Sequence, residues 1–121
     1  ARQPGEYKLK VTANHIAQST KGRITVKAVV GAKAHVDIRG VIKIGKEAQR
    51  TASFLELRVL MLDQTSRAIA EPELEIEANE VKASHAASIG QLDYEQMLYL
   101  TSKGLNITQA TDQIVNGWLT V

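Results

Sequence analysis

The feature that most constrains this chain is a two-residue hydrophobic alternation that recurs in short runs and is broken each time by small or polar residues. In EYKLKVTA, Tyr7, Leu9 and Val11 share one parity while Lys8, Lys10 and Thr12 share the other. That is the pattern of a half-buried strand, because successive side chains of an extended backbone point to opposite faces. RITVKAVV repeats it with Ile24 and Val26 before Gly31. In AHVDIRGVIKI, Val36, Ile38, Ile42 and Ile44 oppose Val41, and Gly40 at the exception predicts a bend or bulge. GKEAQRTAS, residues 45–53, predicts a connection, and FLELRVLML is the most apolar strand candidate, though its composition would also suit a short helix. A polar stretch follows to Pro72; alternation resumes in Glu73–Ala78 and continues, after Asn79, in Val81, Ala83, His85 and Ala87. Many short strands with no long helix between them suit a sandwich, a small barrel or a coiled β-solenoid.

The carboxy-terminal part changes period. Asp93 and Gln96 form an Asp-x-x-Gln capping box for a helix over Tyr94–Lys103, which Gly104 ends with Leu105 set against Leu100. Asn106 and Gln109 repeat the device for a second helix carrying Ile107, Ala110, Ile114 and Trp118, with Gly117 as its expected end. The expected organisation is a β core over residues 1–90 and a helical tail over 91–121, within one structural domain.

Composition removes several function classes. The chain has no cysteine, which excludes disulfides, thiolate nucleophiles and cysteine-ligated clusters held by this chain alone. Its net charge of +2 comes from interleaved acids and bases, with no basic block beside stacking aromatics, so nucleic acid is not an expected partner. No apolar run reaches the length of a membrane span and no signal peptide is evident, which points to a cytoplasmic protein. The first residue is Ala, compatible with an internal cut or a processed start.

His85 is the residue singled out for chemistry, with Ser84 and Ser88 as hydrogen-bonding neighbours; its bland reading is a satisfied, partly buried histidine. His15 and His35 show no ligand spacing, so no metal site is expected. The alternating Glu73, Glu75, Glu77 and Glu80 read as the solvated face of a strand before they read as a cation site. No nucleophile elbow or phosphate loop is present, and nothing argues for an enzyme. Tyr94, Met97, Tyr99 and Trp118 are candidates for docking a partner, with packing of two short helices as the competing account.

The run PELEIEANEVKASHAASIGQLDYEQMLYLTSKGL, from Pro72 to Leu105, resembles the carboxy-terminal signature of the SufB/SufD family. GVIKIGKEAQRTAS upstream, and Ala110 with the GWL ending at Leu119 downstream, extend the likeness from about His15 to Leu119. The resemblance implies a right-handed parallel β-helix followed by a small helical region. It also implies a non-catalytic scaffold of iron–sulfur cluster assembly that docks a SufC-type ABC ATPase through its helices and pairs with a SufB-like subunit or with itself as a homodimer. His85 matches the family histidine near the subunit interface. The family cysteine of that segment is Ala83 here and the following glycine is Ala86; SufB-type chains have Glu after the histidine, so Ala86 brings the segment closer to the SufD type. Any iron–sulfur cluster is therefore met only indirectly. The chain is several-fold shorter than the usual member, as a carboxy-terminal piece or a reduced paralogue would be. Two alternatives remain: a metal-binding or catalytic protein built on His85, and a purely structural relic.

Overall fold

The computed structural model describes residues 1–120. It divides into two compact units, 1–90 and 91–121.

The first unit is built from six strands: β1 (Gly5–His15), β2 (Lys21–Val30), β3 (Ala34–Ile44), β4 (Thr51–Met61), β5 (Arg67–Ile76) and β6 (Val81–Gln91). No strand pairs with its neighbour in sequence. The odd strands form one sheet in the order β1-β3-β5 and the even strands another in the order β2-β4-β6. Gly5 sits opposite Ala34, Lys21 opposite Ala52 and His35 opposite Arg67, in parallel register, so each pass returns to the same sheet after about thirty residues.

This register stacks like on like. Across the odd sheet Leu9, Ile38 and Ala70 align, then Ala13, Ile42 and Leu74. Across the even sheet Ile24 meets Leu55, Val26 meets Leu57 and Ala28 meets Val59. The core lies between these rows, where Ile38, Ile42, Ile44, Leu55 and Leu57 are fully buried. Each such side chain contributes about 1.5–3 kcal/mol relative to an exposed position. The outer face of the odd sheet is charged, with Arg39 paired to Glu71 at 3.2 Å and Lys43 to Glu75 at 3.8 Å.

Gly40 corrects the expectation of a bulge. The register runs unbroken through it, from Val11 on one side to Pro72 on the other. Its role is packing: a Cβ there would stand 2.6 Å from Leu55 Cδ2 and 3.2 Å from Leu57 Cδ2. The polar stretch before Pro72 is also corrected, because β5 begins at Arg67 and carries Pro72 within it. As the last strand of its sheet, β5 has an amide row with no partner strand beyond it, and proline is tolerated at such an edge. The expected connection over residues 45–53 ends earlier than its composition suggested, since β4 starts at Thr51.

The corners are held by hydrogen bonds between passes. Ser19 and Arg50, both at positive φ, occupy equivalent corners, and Ser19 N–H donates to Gln49 O at 2.9 Å. Gln49 Oε1 accepts the amides of Asn79 and Glu80. At the opposite corner Asp63 accepts from Ala32 N–H, from the amide and hydroxyl of Thr65, and from the amide and hydroxyl of Ser66.

The second unit contains α1 (Tyr94–Ser102) and α2 (Ile107–Thr120). Asp93 caps α1 by accepting from Glu95 N–H and Gln96 N–H. Leu105 N–H to Leu100 O and Gly104 N–H to Thr101 O, with Gly104 at φ +99°, form the Schellman stop. Asn106 and Gln109 exchange side-chain-to-backbone bonds of 3.0 and 2.8 Å, a reciprocal box. α2 runs through Gly117 to Thr120, past its expected end. Gly117 has ordinary helical freedom and no residue at positive φ follows it among the described residues, so nothing there stops the helix.

Candidate interaction surfaces and the buried histidine

His85 lies midway along β6 on the parity of Val81 and Ala83, which pack against the core. The side chain is nonetheless exposed, as is every residue from Ser84 to Gln91. It makes no hydrogen bond with Ser84 or Ser88. The reading of His85 as a satisfied, partly buried histidine is therefore corrected: parity set its direction, but among the described residues β6 is the last strand of its sheet. What the position offers is an imidazole open to solvent, with Ile89, 51% exposed, further along the same strand.

The satisfied histidine is His15. It is buried at the end of β1, with Nδ1 2.9 Å from Thr20 Oγ1 and Nε2 3.1 Å from Ser53 Oγ. Its tautomer follows from the bonds around it. Thr51 donates its hydroxyl proton to Ala48 O, so Thr51 Oγ1 accepts from Thr20, 3.1 Å away. Thr20, its own proton committed, accepts from His15 Nδ1–H, and Nε2 meets the Ser53 hydroxyl. Gly22 makes room for the ring, because a Cβ there would stand 3.0 Å from His15 Cε1. The sequence carried one signal for this cluster, a histidine at the inward end of an alternating strand, and spacing alone did not connect it to Ser53.

His15, His35 and His85 are not brought together. Among the described residues no group of three or more His, Asp or Glu side chains is placed to hold a metal ion. Of the acids, Glu75 is paired to Lys43.

In the helical unit, Tyr94 and Tyr99 are 73% and 60% exposed, and Lys103 Nζ lies 5.4 Å from the Tyr99 ring centre. Met97 and Trp118 are half-buried, and Thr111 donates to Met97 Sδ across the two helices at 3.8 Å. Of the four docking candidates, then, the two tyrosines form the open face, while Met97 takes part in the packing of α1 against α2. α1 has no buried residue and α2 buries Ala110 and Val115. Among the described residues no helix is long and apolar enough to cross a membrane.

Fold and surface together define a repetitive two-sheet β module with a helical appendage, its polar chemistry confined to corners and outer faces. The chain belongs to the SufBD family: residues 2–118 match the SufBD core domain of the SUF system of FeS cluster assembly. It is 34% identical over 105 residues to the iron–sulfur cluster assembly protein SufD of Bacillus subtilis and 30% identical over 105 residues to the SufB protein of the same organism. Each match takes in 87% of this chain, and 24% and 23% of the respective relative. The SufD protein of Escherichia coli is 33% identical over 89 residues, which cover 74% of this chain and 21% of that protein. The chain thus spans about a quarter of the length of these relatives.

Proposed function

We propose that this chain is a non-catalytic, SufD-like scaffold module of iron–sulfur cluster assembly. Its strands form a right-handed parallel β-helix that pairs with a SufB-like subunit or with a second copy, and its helices dock a SufC-type ABC ATPase in the cytoplasm. The observation that carries this reading is the extent of the family match, which takes in the stacked strands and the two helices alike. One feature supports the SufD-like assignment, Ala86 where SufB-type chains have Glu, and with Ala83 in place of the family cysteine the chain has no thiolate to offer a cluster. Contact with a cluster would then be indirect, through the partner subunit. His85, open on the last strand, is the interface residue in this reading, and Tyr94 and Tyr99 are the exposed part of the docking surface, with Met97 and Trp118 supporting it.

The test is quantitative pull-down of a SufC-type ATPase from the same source by the full chain and by a chain ending at Gly90, with sedimentation to follow self-association. Binding that depends on residues 91–121 is expected. A folded full chain that binds no ATPase would reduce the protein to a structural relic of the family.

A further inference from the structure

The two sheets differ in the charge they present. The outward positions of β1, β3 and β5 carry five cations and five carboxylates, several of them paired across strands. Those of β2 and β4, with Lys82 from β6, carry Lys21, Arg23, Lys27, Arg58 and Lys82 against a single carboxylate, Glu56, which lies 3.9 Å from Arg58. A chain of net charge +2 therefore concentrates its excess on one face.

Within that face there is a built depression. Lys21 is opposite Ala52 and Arg23 opposite Phe54, and these residues line, with Lys82 and Ser84, a groove of about 560 Å³. Lys21 on β2 and Lys82 on β6 line the groove from the two strands that flank β4, and neighbouring strands are about 4.8 Å apart, so those two strands run about 10 Å from each other across the row of Ala52 and Phe54. An anionic group resting on Ala52 meets an ammonium on either side and the Arg23 guanidinium in the next row. Lys21, Arg23 and Lys82 are all exposed.

The chemistry of the groove selects among anions. Phe54 carries the Arg23 guanidinium 4.8 Å from its ring centre, so one face of the groove's single aromatic ring is already taken by a cation rather than open to a base. Strand amides lie in the plane of the sheet, and those between β2 and β4 are taken up by its ladder, so among the described residues the groove offers no concave nest of N–H groups to a free phosphate. Flexible lysines over a small apolar floor suit carboxylates on a short apolar-and-acidic stretch of polypeptide. We infer that the outer face of the β2-β4-β6 sheet, centred on Lys21, Ala52 and Lys82, docks an extended acidic segment of a protein partner. This surface belongs to the first unit and does not depend on the scaffold reading.

The experiment is fluorescence anisotropy with a short labelled peptide of alternating Glu and Ala, titrated with the full chain. Binding should weaken steeply between about 50 and 200 mM salt, because exposed charges are screened over that range. The double substitution Lys21→Glu with Lys82→Glu should weaken it tenfold or more, whereas Lys8→Glu with Lys10→Glu on the other sheet should leave it within twofold. If the reversed pair fails to fold by circular dichroism, Lys21→Gln with Lys82→Gln is measured instead and should lose threefold or more. The inference is overturned if the wild-type chain does not bind the peptide, if both double variants lose the same amount, or if a single-stranded oligonucleotide or inorganic phosphate binds more tightly than the peptide.

Discussion

Replacing Gly40 by Ala tests whether this glycine is a hinge or a packing device. The added Cβ would stand 2.6 Å from Leu55 Cδ2, about 1 Å inside the ordinary carbon–carbon contact of 3.5–4.0 Å. Leu55 and Leu57 are fully buried among close-packed neighbours, so the clash has no cheap relief. Overpacking of this kind costs about 1–3 kcal/mol. Gly40 has no positive φ, so alanine fits the backbone and returns about 0.4–1 kcal/mol by restricting the unfolded chain. The net expectation is a loss of about 1–2 kcal/mol in urea denaturation. Leu55→Val alone should cost about 1 kcal/mol through the space it leaves. Combined with Gly40→Ala it should cost markedly less than the sum, because the new Cβ enters the space vacated by the Leu55 methyls, with a coupling of about 1 kcal/mol. A neutral or stabilising Gly40→Ala, or single-variant losses that add to within about 0.5 kcal/mol, would refute the reasoning.

Other outcomes follow from the buried histidine and the Asp63 corner. His15→Ala strands the Thr20 and Ser53 hydroxyls and should cost about 2–4 kcal/mol in thermal or urea unfolding, whereas His85→Ala should stay within about 0.5 kcal/mol; equal losses would contradict the burial assignments. The Thr65 hydroxyl, the Ala32 amide and the Ser66 hydroxyl hold the Asp63 carboxyl well below the usual carboxylate range. Its contribution is complete above an unfolded value of about 3.9 and is lost as pH falls toward the lower folded one. Asp63→Asn should accordingly be most destabilising near neutrality, with the gap to wild type closing below about pH 4; a constant gap in denaturation across that range would rule the corner out as a source of acid sensitivity.

Alternation exposed most of the strands because burial on one face leaves a two-residue period, and β1 to β3 lie within a residue or two of their expected limits. The caps of both helices were legible for a related reason: Asp93, Asn106, Gln109 and Gly104 act on their immediate neighbours, and short-range geometry is written in short-range sequence. The first half of β5 escaped because its inward residues before Leu74 are Ala68, Ala70 and Pro72, too small or too unlike a strand former to mark a period. The pairing of β1 with β3 rather than β2 was not legible in any local pattern, which does not record which strand a parallel neighbour will be, and was implied only through the family resemblance. The site followed the same division. His85 was found as a motif, while its exposure depends on β6 being last in its sheet, and the bonds of His15 to Thr20 and Ser53 depend on register across two strands.

The pairing of each strand with the next but one also shapes how the chain must fold. Every ladder closes a loop of about thirty residues before any of its hydrogen bonds form, so the entropy of closure comes first and the reward afterwards. A chain of this topology has few local contacts to lead it and belongs among slow folders for its length. Among the described residues β3 and β4 are flanked by a strand on either side, while β1, β2, β5 and β6 each pair on one side. Opening from either end therefore breaks one ladder at a time and leaves the middle pair the last to exchange its amides with solvent.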